Sequence, residues 1–278
     1  MKIRIYVLIA MLGIVFTACE KNNPVKEGFT EKSLQLVADE ANATAIIDDI
    51  MKDIDFYSEI GEGMNLKSAA IDGGCPVITV ERGDDNGWPR TVTIDFGDRC
   101  ETRNGKVKSG KVIITKSAKW KEEGATRSVT FEEFYVNGAL VEGTKNIIND
   151  GEQNGVWSFS INNSITITLD DTIKVSRTAV KTREFISGFD TPRNRADDLI
   201  HVSGTVTVNR NGKTYTREIT SPLVINGACR FIVAGVVEIT RNDEVITLDY
   251  GDGACDSKAT ISKGGETKEI DLAKRRRH

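Results

Sequence analysis

From Gly74 onward the chain alternates apolar and polar residues with a period of two, and that pattern leaves few folds open. Successive side chains of a strand point to opposite faces, so the alternation marks half-buried β-strands. Val92, Ile94 and Phe96 share one parity, with Thr91, Thr93 and Asp95 on the other. Val202, Val206 and Val208 alternate with His201, Ser203, Thr205 and Thr207, and Ile246, Leu248 and Tyr250 repeat the pattern. Trp157, Phe159, Ile161, Ile165, Ile167 and Leu169 share a parity broken only by Asn163, which favours one long strand over two strands about an Asn162-Asn163 turn. Turn signals stand between the runs at Asn86-Gly87, Asn104-Gly105, Asn137-Gly138, Asp150-Gly151, Asn211-Gly212 and Gly264-Gly265. Short turns between alternating runs predict a mainly β chain: a long antiparallel meander, open curved sheet or sandwich, of about ten to twelve strands.

The exception lies ahead of this region. Between Thr30 and Ile60 the residues Leu34, Val37, Ala38, Ala41, Ala45, Ile46, Ile50, Ile54 and Tyr57 recur at helical spacing. Thr30 suits an N-cap, and Glu31 favours the helix start. Asp48, Asp49, Lys52, Asp53 and Asp55 lie mainly off the apolar stripe. One N-terminal amphipathic helix within 29–62 is expected, the alternative being two with a break near Asn42-Ala43-Thr44, and its stripe needs a partner surface such as a sheet face. Residues 19–28 are short and polar with Pro24, a tether ahead of the fold.

The first eighteen residues read as a targeting segment rather than structure. Lys2 and Arg4 precede an apolar run from Val7 to Phe16 that is too short to span a bilayer stably. Phe16-Thr17-Ala18-Cys19 resembles the lipobox of bacterial lipoproteins, departing from it in having Phe where Leu or Val is commoner. The resemblance implies a signal peptide over 1–18, lipidation of Cys19, and durable anchoring through two or three acyl chains (diacylglycerol on sulfur, palmitate-type acylation of the amine).

Four cysteines remain, and in an exported chain an even number reads as disulfides. Cys75 with Cys100, and Cys229 with Cys255, each bracket one predicted hairpin at nearly equal separations. Closing such loops would stabilise by roughly 3–4 kcal/mol in the chain-entropy model. Zinc is a poor alternative, since there is no Cys-x-x-Cys and His201 is the only internal histidine. The cysteine pairs also frame an internal repeat. Thr93-Ile94-Asp95-Phe96-Gly97-Asp98 before Cys100 matches Thr247-Leu248-Asp249-Tyr250-Gly251-Asp252 before Cys255. This divides the β domain, 75–272, into two related units of about 75–150 and 200–272, joined by 151–199. The tail 273–278 is basic.

Cys75-Pro76-x-Ile78-Thr79-Val80, the run Trp88-Pro89-Arg90 to Phe96-Gly97-x-x-Cys100, Ser109-Gly110-Lys111-Val112-Ile113-Ile114, Gly235-x-Val237-Glu238-Ile239-Thr240 and Leu248-Asp249-Tyr250-Gly251-Asp252-Gly253-x-Cys255-Asp256 resemble a group of uncharacterised lipoproteins common in Bacteroidota. The resemblance covers most of the mature chain and implies location and fold; it carries no activity, catalytic residue or cofactor.

A search for chemistry yields little. The net charge of −4 offers no basic field for nucleic acid, and the cluster Lys274 to His278 is confined to the terminus. A Ser-His-Asp arrangement would have to use His201, which sits on the polar face of a strand, and no Gly-x-Ser-x-Gly elbow exists. Asp95 with Asp98, and Asp249 with Asp252 and Asp256, are the nearest to paired carboxylates. Asp98 and Asp252 follow glycine and read as turn builders; calcium is the alternative for Asp249, Asp252 and Asp256, although EF-hand spacing is absent. Trp157 shares the core parity, whereas Trp88 and Trp120 are candidates for exposure. Lys and Arg in nearly every strand count against a membrane barrel.

The sequence therefore predicts a non-enzymatic lipoprotein of the cell envelope, of the outer membrane and facing periplasm or surface. It would bind or scaffold through a broad β surface, with the membrane, a glycan or an envelope protein as partner and no nucleic acid or cofactor. A carrier holding an apolar ligand in a curved sheet plugged by the N-terminal helix is the alternative, and a carbohydrate-active enzyme a further one.

Overall fold

A computed structural model describes residues 68–70, 74–83, 87–102, 105–169, 173–191, 194–210 and 212–273. The signal peptide, Cys19, the tether, the helix expected within 29–62 and the basic cluster 274–278 lie outside the described residues. Strands β1 (Ser68–Ala70), β2 (Val77–Arg82), β3 (Arg90–Asp95), β4 (Cys100–Glu101) and β5 (Val107–Lys116) come first. The longest strands follow: β6 (Thr126–Val136), β7 (Ala139–Gln153), β8 (Val156–Leu169), β9 (Ile173–Ser187), β10 (Leu199–Arg210) and β11 (Lys213–Asn226). The chain closes with β12 (Ala234–Arg241), β13 (Glu244–Asp252), β14 (Lys258–Lys263) and β15 (Glu266–Asp271). All fifteen belong to one antiparallel sheet in sequence order, with the two-residue β4 paired off the path against β5.

The fold is thus the expected meander, with more strands than the ten to twelve expected. β1 precedes the region of clear alternation, and β4 is too short to leave a periodic signal. The long strand at Val156–Leu169 forms unbroken through Asn162 and Asn163, because both pair within it: Asn162 with Asn146 and Val180, Asn163 with Lys145 and Ala179. β1 and β15 are the two ends of the sheet order.

Register carries one face across the whole sheet. Val80, Val92, Ile114, Val129, Lys145, Asn163, Ala179, Val206, Arg217, Ile239 and Ile246 lie side by side on successive strands. This inward face holds the core. One cluster of buried side chains, including Ile94, Ile114, Phe134 and Ile165, gathers residues of β2 to β8. A second, including Val206, Tyr215, Val237 and Ile261, gathers residues of β9 to β15. The two meet at the β8–β9 pair, inside the segment expected to join the repeated units. A smaller cluster of Ile147, Phe159 and Ile161 is capped by loop residues Trp120 and Phe189.

Glycine bends the sheet where a side chain would collide with the next strand. Gly143 in β7 has φ +118°, and Gly204 in β10 has φ +121°. A Cβ added to the first would run into the Ser164 carbonyl oxygen, and to the second into the Val180 carbonyl oxygen. Register also shifts between Val202 and Gly204, as at a β-bulge.

Candidate functional site

The predicted cysteine pairs form. Cys75 and Cys100 are joined with Cα atoms 5.8 Å apart and close the β2–β3 hairpin. Cys229 and Cys255 are joined at 5.5 Å and close the β12–β13 hairpin. The repeated Asp-aromatic-Gly turn has the same construction in both copies. Asp95 Oδ1 accepts the Gly97 N–H at 2.8 Å, and Asp249 Oδ1 accepts the Gly251 N–H at 2.8 Å. Turn building therefore falls to the aspartate two before each glycine, instead of Asp98 and Asp252 after it. The strand-end carboxylate already lies within reach of the second amide on, as in an Asx turn.

The calcium alternative finds no convergent geometry. Asp256 Oδ1 accepts the Lys258 N–H at 2.9 Å, and among the described residues no three His, Cys, Asp or Glu side chains gather as a metal site. His201 sits half-buried on the outer face, level with Glu184 and Val224. Trp157 keeps the inward parity but stands half-buried in a pocket wall rather than deep in the core. Trp120 is half-buried also, stacked 4.8 Å from Phe159 with the Arg127 guanidinium 3.8 Å from its ring centre. Trp88 lies under Arg90 at 4.1 Å.

That pocket, a shallow hollow of about 260 Å³, is lined by Trp157, Phe185 and Phe189 together with Asp190, Thr191 and Asp197. The Trp157 and Phe189 rings are 4.7 Å apart and tilted. Asp197 is held as a local acceptor, taking bonds from Thr191 Oγ1 at 2.8 Å and Asn194 Nδ2 at 2.9 Å, while Asp190 pairs with Lys121. Both carboxylates are committed to neighbouring groups, an arrangement for holding a loop rather than for moving a proton.

The outer face of the sheet is polar over its central strands. β8 sends Ser158, Ser160, Asn162, Ser164, Thr166 and Thr168 to that side, opposite the buried Phe159, Ile161, Ile165 and Ile167. Neighbouring strands continue it in register: Thr130, Thr144, Ser164, Thr178, Thr207, Thr216 and Thr240 form one row across seven strands. Thr166 and Ser176 hydroxyls touch at 3.3 Å within the next row. The centre of this face, on β8 to β10, is a field of hydroxyls and amides flanked by His201 and Glu184 at one end. The field is the polar half of each sequence alternation.

The inward face holds a second surprise. Lys108, Lys116, Lys145 and Arg177 are 1–3 % exposed on the core side of the sheet. Burial holds the Lys108 ammonium down to a pKa of about 8. Such residues look like solvated strand positions in a sequence; their parity with the apolar set is the signal that places them inside. The chain matches no family model, no curated protein and no solved structure.

Proposed function

We propose that this chain is a lipid-anchored protein of the cell envelope, held to the membrane through Cys19, whose sheet offers a non-catalytic binding surface to a polar, uncharged polymer such as a glycan. The observation that carries the reading is the outer field of Ser158, Ser160, Asn162, Ser164, Thr166, Thr178, Thr205 and Thr207 on three adjacent strands. Hydroxyls and amides at strand spacings of about 4.8 Å across and about 7 Å along supply donors and acceptors with no net charge. Such a field complements a hydroxyl-rich chain better than an ionic or apolar one. Membership of the Bacteroidota-type lipoprotein group and an outer-membrane position fit this reading.

Affinity gel electrophoresis against neutral polysaccharides tests it. Retention should be seen with at least one of them and should fall at least about fivefold in a Thr166→Val, Thr178→Val, Thr207→Val variant of unchanged thermal stability. Equal retention of that variant, or no retention on any neutral glycan, would sink the proposal. Anchoring is tested separately: labelling with a radioactive fatty acid should disappear in Cys19→Ser.

A further inference from the structure

Between β7 and β11 the outer face carries its polar groups in registered rows. Thr144, Ser164, Thr178, Thr207 and Thr216 stand side by side, one on each of five consecutive strands. Asn146, Asn162 and Thr205 flank this row on one side, and Thr166, Ser176 and Asn209 on the other. Val180 is the one apolar side chain among these rows. Charge enters only at their ends, with Glu142 on β7 and Glu218 on β11.

The same strands keep cations off this strip. Of the lysines and arginines on β7 to β11, only Lys174 takes the outer parity. Lys145 and Arg177 turn inward even though that buries them. Solvation alone would set such long basic side chains in water, so solubility does not account for the uncharged strip.

The step of the middle row selects among uncharged polymers. Neighbouring strands lie about 4.8 Å apart, and the five hydroxyls repeat at that step. A β-1,4-linked pyranose chain is an extended ribbon whose advance per sugar is close to the same step, and both its edges carry hydroxyls. An α-1,4-linked chain coils, and an α-1,6-linked chain is too loosely jointed to keep one sugar over each strand. Along the row each sugar would meet a hydroxyl that both donates and accepts, with further hydroxyls and amides to either side. Strands of a sheet also turn by roughly 20–25° from one to the next. A single dispersed chain, free to twist, follows that turn where a packed crystal of chains cannot.

Resting on the glycan-binding reading above, we propose that the ligand is a neutral β-1,4-linked glycan. It lies across the strands, one sugar to a strand, along Thr144, Ser164, Thr178, Thr207 and Thr216. Each contact is weak, and affinity builds as successive sugars engage successive strands.

Titration calorimetry of the full chain with β-1,4-linked gluco- and manno-oligosaccharides of two to six sugars tests this. Affinity should rise at least about tenfold from three sugars to five. Thr144→Val on β7 and Thr216→Val on β11 should each weaken binding of the hexasaccharide at least about threefold. Ser158→Ala and Thr168→Val, towards opposite ends of β8, should leave it unchanged. The reverse pattern would turn the ligand along the strands and overturn the proposal, as would an affinity that stops rising at two sugars. Retention in affinity gels by α-linked glucans alone would also overturn it, with the glycan-binding reading left standing. Failure with every neutral glycan would overturn both.

Discussion

Lys108 and the strand glycines are the residues at which single atoms decide most. Lys108 is 2 % exposed, near the Phe96 ring, and burial lowers its pKa from 10.5 to about 8. Between those values the unfolded chain holds a proton that the folded chain has released, so stability rises with pH across that window. Urea midpoints measured at pH 7.5 and pH 10 should show the natural chain gaining on Lys108→Met at the higher pH; a constant difference would mean that Lys108 titrates normally. Gly143 makes an opposite demand. A side chain there meets both a positive φ and the Ser164 carbonyl, so Gly143→Ala should cost at least about 2 kcal/mol by chemical denaturation, whereas Ala ordinarily stabilises a strand relative to Gly. At Asp249 the loss is milder: Asp249→Ala removes the bond to the Gly251 amide and should cost about 1 kcal/mol.

At the scale of elements, legibility followed periodicity. Strands such as β8 and β13 were readable because one face is apolar and the other polar, and hairpins because Asn-Gly and Asp-Gly set their turns. The cysteine pairs were readable because each brackets one such hairpin. Opening the second bridge, in Cys229→Ser, Cys255→Ser, should destabilise by about 2–4 kcal/mol in calorimetry under non-reducing conditions. What escaped was information that alternation does not carry. Lys145 and Arg177 obey the core parity, yet a cation in a strand is ordinarily assumed to face water, so their burial was not foreseen. Asp95 and Asp249 escaped for a related reason: both lie on the polar parity, where the choice between solvent and a local amide depends on backbone geometry after the strand. The outer hydroxyl field was also written in the sequence, but its continuity depends on register between strands that sequence alone leaves open.

For the whole molecule the governing fact is an open sheet with two ends in its order. β1 has three residues, and β15 alternates charge along Glu266, Lys268 and Glu269. Short and charged edges discourage pairing with another copy. Replacing Glu266, Lys268 and Glu269 of β15 with Val should shift the chain to larger species than the natural one in size-exclusion chromatography coupled to light scattering; an unchanged profile would show that this edge is protected by other means. The same openness lets one long polar face stand opposite the buried one in a single layer.

The uninterrupted sequence order of the strands bears on how such a chain assembles. No strand on the main path waits for a distant one: each finds its partner in the segment delivered shortly before it, across a closure of two to eleven residues. A polypeptide arriving N-terminus first can therefore lengthen its sheet one strand at a time, like a growing fringe. Every intermediate then differs from the finished fold mainly by the edge it has reached. The most exposed moment in that history is the bare β8 or β9 edge, and it lasts only until the next turn closes.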